Sequence, residues 1–304
     1  MPNWTQVALQ AQEMQDPLSH IRLHYLDVMQ QYTGRNIIAY YSAFLQKPGI
    51  KGASIDDNDK NAFMQACCGL DFGKGLDLIL HTPGGDLTAT ESIVYYLKKL
   101  FGKDIRVFVP QIAMSAGTMM ALSAKEIVMG KQSNLGPIDP QYGGIACAGI
   151  LEEFKTACKE VSQDPGAAQM WSLIIGQYHP TFLGDCQKAI DLSQKIVKDW
   201  LTDNMFFEKK NKNALANKVV RELSSHSKTY THSRHIHMDE LQKMGVVVKE
   251  LESLDNRKID SCKDLQDCVL TVHHAFMQTL ANSNALKIVQ NQQNGAMALT
   301  VAQR

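Results

Sequence analysis

The sequence lacks an excess of charge of either sign: lysine and arginine together number 31, and so do aspartate and glutamate. A general nucleic-acid binder carries a basic excess or stripe, so that class is disfavoured and no nucleic-acid partner is expected. No window approaches the roughly 18 unbroken apolar residues of a membrane span, so no intrinsic membrane anchor is expected. The opening MPNWTQVALQAQEMQD has neither the basic start nor the apolar run of a secretory signal. Cysteine is sparse and unpatterned. Its seven residues are scattered and never spaced C-x-x-C, which indicates neither a disulfide framework nor a zinc ribbon. Internal repeats are also lacking. These absences leave a reduced, soluble, cytoplasmic protein as the expectation.

What the chain does hold is an alternation of apolar runs and amphipathic stretches. Residues 36–45 (NIIAYYSAFL), 76–81 (LDLILH), 105–110 (IRVFVP) and 126–130 (EIVMG) read as short buried strands. Between the second and third, LTATESIVYYLKKLF places Leu87, Ile93, Val94 and Leu97 on one side of a helix. Strands alternating with helices imply an α/β fold with a parallel sheet covered on both faces. Beyond residue 149 the chain reads as helical, with candidate helices at 149–163, 184–209, 212–224 and 263–281. Strand character returns at 246–251 and 287–289. The expected organisation is an N-terminal helical arm (1–35), a catalytic core (36–151), a mainly helical region (152–290) and a polar tail (291–304).

Two segments carry chemistry. In LILHTPGGD (78–86) a buried strand stops at Gly84 and Gly85, whose backbone amides can face an oxyanion with no Cβ in the way. In AMSAGTMMALSA (113–124), Ser115 precedes a small residue and a glycine that open an apolar helix, as a nucleophile on a sharp strand-to-helix turn would. Each has a plainer reading alone: an ordinary turn for the glycines, a helix N-cap for the serine. Ala113 also stands where a strict G-x-S-x-G would have glycine.

The ordered set PGG, then S-A-G, then SNLGPIDPQ (133–141) resembles the serine dehydrogenase proteinase family. That family is similar to signal-peptide peptidases and Clp proteolytic subunits and shares their crotonase-like fold of parallel strands and helices. The resemblance implies a serine peptidase acting on a peptide or protein substrate. Ser115 would attack the carbonyl, with Gly84 or Gly85 and the amide of Ala116 receiving the oxyanion. It also implies a homo-oligomer, and the mechanism requires no metal and no organic cofactor.

The general base is the open point. Where Clp subunits place a histidine, this chain offers Asp139, and a carboxylate is ordinarily a poor acceptor for a serine proton at neutral pH. Signal-peptide peptidases use a lysine from the next helix. The matching GILEEFKTACKEV (149–161) contains Lys155, bordering the apolar face beside Phe154, and Lys159 one turn further. A lysine serves only if burial lowers its pKa, and Lys155 is the preferred base on that condition. His179, in QYHPTF, and His81, closing the strand before PGG, are weaker candidates. The cluster SHSKTYTHSRHIH holds His226, His232, His235 and His237 but fits no zinc pattern; a polar loop at the cleft mouth or a subunit contact suits it better.

Two rival functions remain open. One is an acyl-CoA enzyme of the same fold; the other is an oligomeric scaffold that retains the serine without a working base. A nicotinamide enzyme is disfavoured, because the glycines of GLDFGKG (69–75) precede a strand and open no helix.

Overall fold

The computed structural model describes residues 17–225 and 229–300. Helix α1 (Pro17–Thr33) leads into strand β1 (Asn36–Ser42), helix α2 (Asn58–Cys67) and strand β2 (Leu76–His81). Then come helix α3 (Leu87–Phe101), strands β3 (Ile105–Val109) and β4 (Ile112–Ala113), helix α4 (Ala116–Leu122) and strand β5 (Glu126–Met129). Short strands β6 (Asn134–Leu135), β7 (Gln141–Tyr142) and β8 (Ile145–Ala146) precede four helices. These are α5 (Cys147–Gln163), α6 (Ala167–Ile175), α7 (Phe182–Trp200) and α8 (Lys212–Ser224). The remainder is α9 (Met238–Met244), β9 (Val248–Glu250), α10 (Leu265–Asn282), β10 (Ala285–Asn291) and β11 (Ala296–Thr300).

Seven strands form one sheet in the order β11-β10-β1-β2-β3-β5-β9. The run from β1 to β9 is parallel, and β10 and β11 add to one side antiparallel. Every residue of β1 and β2 is buried, as strands covered on both faces require. Alternation along each strand divides the core in two. Ile38, Tyr40, Leu78 and Leu80 pack with α2, α3, α4, α7 and α8. Ile37, Ala39, Tyr41 and Ile79 pack with α1 and α10. Helix α3 shows how locally this is encoded: the Asp86 carboxylate accepts from Ala89 N–H at 2.7 Å and caps its start. Its buried stripe is Ile93, Val94, Leu97 and Phe101. Helices α5 and α7 share a small core of their own around Cys147, Ile150, Phe182 and Cys186.

The fold is the expected α/β architecture with a parallel-dominated sheet. Its differences from the sequence reading have physical causes. Residues 285–300, split between a short strand and a polar tail in the sequence, form β10 and the edge strand β11. Polar residues within β10, such as Lys287 and Gln290, hide a strand whose polar groups find buried partners. The helix expected over 184–209 ends at Trp200 in a π-type turn, Leu201–Met205. Residues 1–16 of the expected arm, and His226 of the histidine cluster, lie outside the described residues.

His81 requires a correction. Strand parity turns its side chain away from the PGG cleft to the α1 and α10 face, against Tyr41, Phe44 and His273. Neither ring nitrogen has a hydrogen-bond partner among the described residues. Burial pushes its pKa from 6.5 to about 3 and lowers that of His273 as well. Both rings are therefore neutral in the folded protein, while the unfolded chain protonates them near pH 6.5. The unfolded state binds the extra protons, so stability falls as pH drops from 6.5 toward 3. The slope reaches about 1.4 kcal/mol per pH unit for each ring. His81→Leu is expected to flatten this acid dependence in urea titrations between pH 7 and pH 4. Parallel curves for variant and wild type would refute that assignment.

Candidate active site

The site begins with backbone geometry. Strand β4 ends at Ala113, and two residues later Ser115 has φ 52° and ψ −119° before α4 begins. A non-glycine residue there costs about 1–3 kcal/mol and persists only where surrounding structure enforces it. The enforcement is visible. Met114 N–H donates to Thr82 C=O at 3.0 Å, and Gly117 N–H donates to Met114 C=O at 2.8 Å. The turn presents a half-buried Ser115 whose side chain makes no hydrogen bond among the described residues, so it caps nothing.

The glycine turn lies directly against it. A Cβ at Gly84 (φ +95°) would sit 2.7 Å from Ser115 Cβ and 2.9 Å from Ala116 N. The two segments singled out in the sequence thus meet at their tips, and glycine is required there for the approach. Gly84 N–H is engaged, donating to Thr82 Oγ1 at 3.2 Å. The amides of Gly85 and Ala116 have no acceptor among the described residues. Gly85 and Ala116 are thus the two amides at this junction left without an acceptor among the described residues.

A third segment runs alongside. Strand β6 pairs in parallel with β4, so Leu135 lies beside Ala113, and Gly136 packs on the Met114 side chain. Thr118 Oγ1 accepts from Gly136 N–H at 2.9 Å, and Ile138 N–H donates to Leu223 C=O at 3.0 Å. These bonds pin the loop that carries Asp139, which is 1% exposed. On its far side Leu135 exchanges two backbone hydrogen bonds with Ile236, drawing in the histidine-rich loop. His232 Nδ1 lies 2.9 Å from Asp139 Oδ1, and its ring is 19% exposed. A buried carboxylate holding one imidazole nitrogen fixes the tautomer and points the other nitrogen away from it.

The remaining candidates are elsewhere. Lys155 and Lys159 are exposed on α5, so the burial a lysine base requires is not met in this arrangement. His179 is exposed on the α6–α7 loop, against Pro180 C=O at 2.7 Å. His235 and His237 flank Ile236 on the loop, and no group of three or more metal-ligating side chains is formed among the described residues. The sequence reading placed His232 in a polar loop at the cleft mouth or a subunit contact and did not weigh it as a base. Its signal was present: an aspartate where a Clp-type histidine would stand, and a histidine in a later loop, give the order Ser, Asp, His known from other hydrolases.

Residues 41–254 match the family model for ClpP-like SDH-type serine proteinases. Two proteins of Methanocaldococcus jannaschii are similar, the uncharacterized proteins MJ1495 and MJ0137, each 30% identical to this chain. The first match covers 75% of this chain and 71% of the relative; the second covers 66% and 62%. Among solved structures, a serine-to-alanine mutant of the 1510-N membrane-bound stomatin-specific protease matches with a TM-score of 0.39. It is 17% identical, over 67% of this chain and 82% of its own.

Proposed function

The chain belongs to the ClpP-like SDH-type serine proteinases, and on that premise we propose that it hydrolyses peptide bonds through an acyl-enzyme on Ser115. His232 is the general base and Asp139 orients it. The observation that carries this reading is the 2.9 Å contact between His232 Nδ1 and the buried Asp139 carboxylate, on a loop pinned beside the Ser115 turn. As Ser115 Oγ bonds to the substrate carbonyl carbon, its proton passes to His232 Nε2, and the amides of Gly85 and Ala116 take the carbonyl oxygen's charge. The imidazolium then gives that proton to the departing amine as the C–N bond breaks. Water, deprotonated by the same ring, releases the acid. Closure of His232 onto Ser115 accompanies substrate binding, since hydrogen bonds of this kind tighten in the Michaelis complex.

The site also belongs to a homo-oligomer in this reading. Helix α6 supports it by exposing Met170, Leu173, Ile174 and Ile175 together, an apolar face that a second copy covers. Light scattering would then give a mass above that of one chain.

Fluorophosphonate labelling with mass-spectrometric mapping tests the chemistry on wild type, Ser115→Ala, His232→Ala and Lys155→Ala. Labelling at Ser115 that survives only in wild type and Lys155→Ala is the expected result. Loss in Lys155→Ala with retention in His232→Ala would move the base to the lysine. A folded wild type that never labels would sink the peptidase reading and favour a coenzyme A enzyme or a scaffold.

A further inference from the structure

The oxyanion turn is held from outside. Ile55 N–H donates to Gly84 C=O at 2.8 Å, and Asp86 N–H donates to Ile55 C=O at 2.9 Å. Ile55 therefore brackets Gly85, whose own N–H is left for a ligand. In the stretch 51–57 only Ala53 and Ile55 are buried, Ile55 within the main core at 1% exposure. The backbone on either side of Ile55 is held by polar contacts. Ser42 Oγ donates to Ala53 C=O at 2.5 Å. Lys287, 2% exposed on β10, places Nζ 3.0 Å from Ser54 C=O, 3.0 Å from Asp56 Oδ2 and 2.9 Å from Asp59 Oδ1. Asp59 in turn accepts from Tyr40 O–H and from Asp56 N–H, both at 3.0 Å. A buried ammonium between two carboxylates is a weak source of stability compared with apolar packing of the same volume. What it supplies is a fixed position on each side of Ile55.

We propose that Lys287 is a positioning residue, tying Ser54, Asp56 and Asp59 so that Ile55 aims the Gly85 amide at the carbonyl oxygen of a substrate on Ser115. This inference rests on the peptidase reading given above. Lys287→Met, made in the full chain, is expected to lower kcat on a peptide substrate by about 10–100-fold, part of the effect of deleting an oxyanion donor. KM stays within about twofold, and affinity for a peptide aldehyde, which needs the oxyanion amides, falls with kcat. Hydrogen-exchange mass spectrometry reads the position directly: exchange accelerates at 53–57 and 84–86 and not across the rest of the sheet.

Asp59→Asn/Lys287→Met removes one of the two opposing charges and replaces the single variant should that one not fold. An unchanged kcat in a folded variant overturns the proposal. So does a fall in kcat without faster exchange at 84–86. A wild type that neither labels at Ser115 nor turns over refutes the peptidase reading instead. The exchange result then decides the role of Lys287 alone, and unchanged rates at 84–86 overturn it.

Discussion

Asp139→Asn is expected to lower kcat by about four orders of magnitude at neutral pH, the scale seen when a triad carboxylate becomes an amide. The fold should be unaffected. The side chain is isosteric, Asp139 Oδ2 has no hydrogen-bond partner among the described residues, and the surrounding loop is held by backbone bonds at Ile138 and Leu135. What changes is the tautomer. The carboxylate accepts from His232 Nδ1–H and leaves Nε2 as the proton acceptor, whereas an amide can donate to Nδ1 and move the proton to Nε2. In the proposed mechanism the ring then cannot deprotonate Ser115. Steady-state kinetics on one peptide substrate, with circular dichroism as the check on folding, decide the matter. Activity within about tenfold of wild type would remove Asp139 and His232 from the chemistry and restore Lys155 or another group as the base.

Gly85→Ala is expected to destabilise the protein by more than about 3 kcal/mol and to abolish activity in whatever still folds. A Cβ there would lie 2.3 Å from Ile55 N and 2.4 Å from Ile55 O, both backbone atoms that cannot swing aside, and φ is +156°. Either the turn or the Ile55 bridge must give way, and each moves the Gly85 amide, the proposed oxyanion donor, out of place. Gly102→Ala provides the comparison. Its φ is +61° and its ψ −131°, but nothing lies within 4 Å of the added Cβ, so it should cost about 1–3 kcal/mol from backbone strain alone. Urea midpoints for the two variants separate steric collision from strain, and equal losses would refute the close approach of Ile55 to Gly85.

The sequence by itself determined most of the elements and the two turns that meet at Ser115. Continuous apolar runs placed β2 and β3, and a 3.6-residue period placed α3 and α5, because a strand covered on both faces and a helix buried on one side each follow a local rule. Ser115, Gly84 and Gly85 were legible for the same reason. A small residue after the serine and a glycine pair after a buried strand are demands of backbone geometry, and such demands are written locally.

Tertiary structure decided the partners. His232 and Asp139 are 93 residues apart, and what joins them is a backbone bridge between Leu135 and Ile236 that no periodicity reveals. Lys287 looked like an ordinary polar residue in a short strand until Asp56 and Asp59 surrounded it. His81 was visible as a residue but not as a direction, since one step of strand parity moves a side chain to the opposite face of the sheet. Lys155 sat at the right helical phase, yet exposure depends on what packs over that helix. Charge pairing and burial are properties of neighbours brought together by the fold, so the chain order that fixes strands and turns carries little record of them.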